Sequence, residues 1–167
     1  RVATPGRQEL VVDPVVGGTR LTNVLMDGGS GLNILYAETL KGMGIPMSKL
    51  SESNMSFHGV IPRKIALDVV FGDSKHYRKE KLTFEVVDFQ SAYHAILGRP
   101  AYARFMARPC YVCLKLKMPG TERVITVTGN RQKAEECLQK GSKIADAQMA
   151  AVELQEYQKN ADPSDLL

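Results

Sequence analysis

The stretch Val24-Leu25-Met26-Asp27-Gly28-Gly29-Ser30-Gly31 sets an acid at the end of an apolar, strand-like segment and follows it with a glycine-rich turn. A strand can hold a carboxylate still while a flexible turn bares it, so Asp27 is the first candidate for chemistry. Several readings compete for such a turn. An aspartate can simply cap its own turn. A serine-hydrolase elbow needs Gly two places after Ser, where Leu32 stands. A phosphate-binding loop needs a Lys-Ser/Thr pair that is missing.

Working outward, Leu10-Val11-Val12, Val15-Val16, a Gly17-Gly18 turn and the alternating run Thr19 to Met26 read as a hairpin whose second arm delivers Asp27. Asn33-Ile34-Leu35 reads as a strand, and Ala37 to Met43 as a brief helix stopped by Gly44 with Pro46 beyond. Met47 to Ser56 is loop-like. Ile65, Leu67, Val69 and Phe71 alternate as one half-buried strand, and Leu82, Phe84 and Val86 as the next, with a polar turn from Gly72 to Lys79 between them.

His94 to Gly98 is a short apolar strand, and Arg99-Pro100 opens a small helix to about Met106. Tyr111 to Met118 and Arg123 to Thr128 flank the turn Pro119-Gly120-Thr121-Glu122. Many short strands with few small helices predict a mainly β domain, closed or sandwich-like. From Asn130 the pattern becomes an amphipathic helix, with Gly141-Ser142 as a candidate break.

The 167 residues suit one domain with an appendage and are enough to bury a core. A composition 44% hydrophobic and 24% charged argues against disorder, and no unbroken apolar run is long enough for a membrane span. The net charge of +4 is mild, and its densest stretch, Lys75 to Lys79, is bracketed by Asp73 and Glu80. That favours a solvated loop over nucleic-acid binding. Three cysteines without a preceding secretory signal point to a reducing cytoplasmic or nuclear setting. Cys110 and Cys113 have zinc-like spacing but no second pair, and on a strand they would face opposite ways, so no metal is expected. His58, His76 and His94 lie apart, and Tyr102 and Tyr111 read as packing residues.

The apolar-apolar-Met26-Asp27-Gly28-Gly29-Ser30 segment, followed by Ala95-Ile96-Leu97-Gly98-Arg99, resembles the paired signatures of retropepsin-type aspartic proteases. With Gly31-Leu32-Asn33-Ile34-Leu35-Tyr36 and Leu114 to Gly120, the resemblance is closest to the protease region of plant gypsy-type LTR retrotransposon polyproteins. It implies a single-lobe, closed acid-protease β-barrel over residues 9–129, preceded by a tail (1–8) and followed by a helical extension (130–159) and a second tail (160–167).

It also implies a homodimeric endopeptidase, free of cofactors, that processes a Gag-Pol-like polyprotein. Asp27 would be the catalytic acid of each chain, and Gly28, Gly29 and Ser30 its turn. Ile96, Leu97, Gly98 and Arg99 would be the supporting segment, and His58, Gly59, Val60, Ile61 and Pro62 the flap. Two departures stand against activity. Gly28 lacks the Thr or Ser hydroxyl that the family carries there. Lys64 to Phe71 also looks long enough for a body strand or a flap arm, not both. The alternative is a domesticated, inactive module that dimerises or binds a protein partner.

Overall fold

The structure, a computed structural model, describes residues 9–53 and 63–160. The expected tail 1–8, most of the tail 160–167 and the flap candidates His58, Gly59, Val60, Ile61 and Pro62 lie outside them. Twelve strands and three α-helices are described. The main sheet holds β1 (Leu10–Val12), β2 (Val15–Val16), β3 (Thr19–Arg20), β4 (Val24–Met26), β5 (Ile34–Tyr36), β6 (Ser51–Glu52), β7 (Arg63–Gly72), β8 (Tyr77–Val87) and β9 (Ala95–Leu97). Its order is β1-β4-β9-β5-β8-β7-β2-β3, with β6 beside β7. A second sheet runs β10 (Arg108–Cys110), β11 (Lys115–Pro119), β12 (Val124–Thr128).

The strand ending at Asp27 is interior. β4 pairs antiparallel with β1 and parallel with β9, and all three of its residues are buried. A strand covered on both faces has to be apolar throughout, which is why Val24-Leu25-Met26 shows no alternation.

Register divides the sheet into two faces, because hydrogen-bonded partners point the same way. One face carries Val24, Met26, Ala95, Leu97, Leu35, Phe84, Val86 and Ile65, all within the main core. It packs against α1 (Ala37–Gly42) through Leu40 and α2 (Arg99–Phe105) through Ala101 and Phe105, with Leu116 and Met118 of the second sheet. The opposite face carries the paired row Val11, Leu25, Ile96, Ile34, Glu85, Lys64 and Ser51. None of these belongs to the main core.

The long hairpin β7–β8 corrects two expectations. Its turn covers only residues 73–76, where Asp73 accepts from the backbone N–H groups of Lys75 at 2.9 Å and His76 at 2.7 Å. Tyr77 to Lys79 are strand, not loop. Within that basic run Arg78 is a structural residue, which donates to the carbonyls of Phe105 and Arg104, the latter at 2.9 Å, and stacks over the Phe105 ring. A guanidinium thereby satisfies carbonyls that the end of α2 leaves open. The run 64–71 is body strand throughout: β7 pairs with β8 from Arg63 to Gly72, and its first two residues also pair with β6. The flap half of that expectation lies outside the described residues. Residues 51–52, expected as loop, are the strand β6.

The C-terminal helix α3 (Arg131–Asn160) is continuous through Gly141-Ser142 rather than broken there. Asn130 starts it: its side chain accepts from Lys133 N–H at 2.9 Å, an N-cap, while its own N–H donates to Val11 O at 2.8 Å. Ala134 and Cys137 are buried, Ala134 against Val11 and Leu25, whereas Leu138 and Met149 stay exposed. Among the described residues, only the first turns of the apolar stripe therefore find a partner within the chain. No described helix is long and apolar enough to cross a membrane.

His94 joins this layer to the sheet. Its Nδ1 accepts from Asn23 N–H at 3.3 Å, and burial, followed by Lys140 and Lys133 of α3, pushes its pKa below the usual imidazole value. A depressed folded-state pKa means that acid favours the unfolded chain, which takes up the proton first. Stability should therefore fall as pH drops below about 6.5, by at most ~1.4 kcal/mol per pH unit from this residue. Urea midpoints across that range, compared with His94→Gln, measure the difference; equal slopes would exclude the assignment.

Candidate active site

Asp27 leaves β4 with its N–H donating to Leu97 O at 2.9 Å, so the β4–β9 ladder extends onto the acid itself. The turn then closes twice: Gly29 N–H donates to Asp27 Oδ1 at 2.9 Å, and Ser30 N–H to Asp27 O at 3.1 Å. Asp27 thus caps its own turn, and that geometry also fixes its carboxylate. Ser30 Oγ continues the brace, donating to Leu32 O at 2.8 Å and accepting from Leu32 N–H at 3.3 Å.

The second signature segment clasps the first. Gly98 N–H donates to Asn33 Oδ1 at 3.0 Å, Asn33 Nδ2 donates to Thr83 O at 3.2 Å, and Asn33 is only 2% exposed. Arg99 N–H donates to Ser30 O at 2.8 Å, and its guanidinium donates to the carbonyls of Gly29 at 3.1 Å and Gly28 at 3.4 Å. Position 98 must be glycine, since a Cβ there would strike Leu32 O and lie 2.6 Å from Ser30 O. Among the sequence candidates, the structure brings Asp27, Gly28, Gly29, Ser30, Leu97, Gly98 and Arg99 into one knot. Ile96 lies beside it, on the outer face.

Gly28 is a different kind of glycine. Its φ is not positive, and a Cβ there would stand 3.8 Å from both the Tyr102 ring and the Tyr111 hydroxyl. These two tyrosines pack against the main core, as read from the sequence, and also border the site, with their hydroxyls 3.2 Å apart. Burial first, then the bond to Tyr111 and the charges of Tyr111 and Asp27, hold the Tyr102 phenol far above its usual pKa. The available signal was position: Tyr102 sits one helical turn after Gly98 and donates its N–H to Gly98 O.

Tyr111 is carried by the turn between β10 and β11. There Cys110 and Cys113 are joined by a disulfide, and Cys113 N–H donates to Cys110 Sγ at 3.3 Å. This corrects the expectation that the two side chains face opposite ways, because residues 111–114 form a turn rather than a strand. Among the described residues no group of three or more His, Cys, Asp or Glu could hold a metal ion.

No protein-family model matches the chain, and no curated protein matches it in sequence. Solved structures are similar in fold. The retroviral protease-like domain of Ddi1 from Leishmania major aligns with a TM-score of 0.53 at 16% identity, over 77% of this chain and 95% of that one. A retropepsin-like aspartic protease from Rickettsia conorii aligns at 0.48 and 16% identity, over 70% of this chain and 79% of that one. The EIAV protease bound to an inhibitor aligns at 0.46 and 18%, over 65% and 99%. On the first of these the chain has a mainly β, retropepsin-like fold, to which it adds a C-terminal helix.

Two outcomes follow from the site. Asn33→Ala should cost about 2–4 kcal/mol, since it leaves the Gly98 N–H and the Thr83 carbonyl without their partner; urea denaturation measures it, and a loss under about 1 kcal/mol would refute the clasp. The raised Tyr102 phenol should ionise only above the usual tyrosine range in an ultraviolet difference titration, and Tyr102→Phe should remove part of that late fraction. Because the folded-state pKa is raised, this group's contribution to stability is intact below about pH 10 and is lost as pH rises beyond it.

Proposed function

We propose that the chain is an aspartic endopeptidase that acts as a homodimer, each copy giving one Asp27 to a shared site. The observation that carries this reading is the placement of Asp27 on a turn held by Leu97, Ser30 and Arg99, with its carboxylate oriented by Gly29 N–H. Peptide hydrolysis without metal or nucleophile needs two carboxylates sharing one proton. One takes a proton from water as it attacks, and the other protonates the carbonyl oxygen. Each chain supplies one acid in such a turn, so a two-fold axis supplies the other.

The polypeptide substrate, in this reading, is a Gag-Pol-like polyprotein of a plant gypsy-type LTR retrotransposon, cut in the cytoplasm or nucleus. Support for that origin is the wording of the sequence itself, Asp27-Gly28-Gly29-Ser30-Gly31-Leu32-Asn33-Ile34-Leu35-Tyr36 with Ala95 to Arg99. Gly28 favours a second reading, an inactive module that kept the fold to dimerise or bind a protein partner, because the turn lacks a hydroxyl worth on the order of 1 kcal/mol per hydrogen bond.

The test is cleavage of an unfolded protein at about pH 4 to 6, where one proton is shared by the pair. Wild type should cleave, with activity falling at high pH as both acids ionise and repel. Asp27→Asn should lose at least ~1000-fold while sedimenting as the same dimer. A wild-type dimer that cleaves nothing would establish the binding module instead.

A further inference from the structure

The outer face of the main sheet carries one buried charge. The row Leu25, Ile96, Ile34, Glu85, Lys64 crosses β4, β9, β5, β8 and β7 in register, so these side chains share a face. Asp27 lies two residues beyond Leu25 and continues the alternation onto that face. Ile96 and Ile34 are half-buried and form an apolar floor between the acid and Glu85.

Glu85 is only 7% exposed, the single charged residue that is buried among those described. Its Oε1 accepts from Ser53 Oγ at 3.0 Å, whereas its buried Oε2 has no hydrogen-bond partner among the described residues. Lys64, opposite it in register, is part-exposed and forms no ion pair with it. An apolar residue here would continue the isoleucine floor at less cost, because a buried carboxylate with an unmet acceptor is destabilising until a cation or donor reaches it.

We propose that Glu85 is a specificity-determining residue that receives a lysine or arginine side chain of the bound polypeptide. The inference rests on the endopeptidase reading for the bond that is cut, but not for the binding of the peptide. An incoming ammonium or guanidinium passes the part-exposed rim of Ser53 and Lys64, supplies the donor that Oε2 lacks, and lays its methylene stem along Ile34. Geometry also sets where on the substrate it acts. Three strand spacings separate Leu25 from Glu85, about 14 Å, which an extended peptide covers in roughly four residues. The basic residue therefore sits three to five positions from the scissile bond, not beside it.

Position-resolved cleavage of a peptide library tests this in the full chain. Wild type should favour Lys or Arg over norleucine by about 10-fold at one position three to five residues from the cut, as expected for one charge-assisted pair. Glu85→Gln, which keeps the acceptor for Ser53, should erase that preference, and Glu85→Asp should retain part of it.

Cleavage without a basic preference, or with one that Glu85→Gln leaves intact, overturns the assignment while the endopeptidase reading stands. A uniform loss on all peptides marks a merely structural role and also overturns it. If wild type cleaves nothing, fluorescence anisotropy with labelled lysine and norleucine peptides replaces the kinetic readout. Discrimination abolished by Glu85→Gln then upholds the Glu85 site although hydrolysis fails; equal binding of the two peptides overturns it.

Discussion

Everything near Asp27 depends on the approach of two backbone segments that only Gly98 permits. Where a Cβ would strike the Leu32 and Ser30 carbonyls, its absence lets residues 30–33 and 97–99 lie against each other. Their polar groups must then satisfy one another, since little water can enter. Asn33 does most of this: one buried amide accepts from Gly98 and donates to Thr83, while the Asn33 carbonyl accepts from Glu85 N–H at 2.8 Å. A single side chain thus ties β5, β8 and β9 at the end where β4 releases the acid. Apolar packing alone could not do this, because dispersion contacts are non-directional, whereas three hydrogen bonds on one residue fix both distance and angle.

The same clasp leaves the sheet with one dry face and one face outside the main core. Strands two to three residues long bury too little to stand alone, so Val24, Met26, Ala95, Leu97 and Leu35 depend on a shared core with α1, α2 and the second sheet. Each contributes about 1.5–3 kcal/mol of burial for its larger side chains. On the outer row Ala134 of α3 packs with Val11 and Leu25, Ile96 packs against the same cluster, and Ile34 lies beyond it. Carrying a partly apolar floor and a buried glutamate costs stability, and the inner face offsets that cost.

How much of this is legible in the sequence follows from the range of each interaction. The strands around Ile65–Phe71 and Leu82–Val86, the helix opened by Arg99-Pro100 and the hairpin around Pro119-Gly120 carry their signal in local periodicity and turn chemistry, and they stand where expected. The role of Gly98 is legible only through the resemblance, because a backbone collision with residue 32 leaves no local trace. Tyr102 and Tyr111 pack against the main core as read, and that they also stand at Gly28 is set by the path of α2 and β10. Cys110 and Cys113 read as diverging only while a strand is extended through what is a turn. Glu85 sits in an alternating run that reads as half-buried, and its near-complete burial, with Ser53 donating to its Oε1, lies beyond any period of two. A strand can serve both β6 and the body, despite its length, because pairing is counted along one edge at a time: β7 meets β6 with its first two residues and β2 only at Val69 and Val70.

Gly28 can now be weighed physically. Its φ does not require glycine, and the space where a Cβ would stand is open to 3.8 Å, so the missing side chain is a matter of chemistry rather than backbone conformation. In the proposed homodimer, a hydroxyl at that position would reach across the two-fold axis and brace the turn only once two chains had met. In this chain a Cβ at Gly28 would face the Tyr111 hydroxyl and the Tyr102 ring, and the contacts that hold the turn, from Leu97, Gly29, Leu32 and Arg99, all lie within one chain. The turn is therefore shaped before any partner arrives. Association in the proposed homodimer would then have to bring two prepared carboxylates together but not order the loops that carry them, which would remove part of the entropic cost of assembly. In that dimer, glycine at position 28 would thus weaken the tie between dimerisation and site geometry more than it weakens the geometry itself.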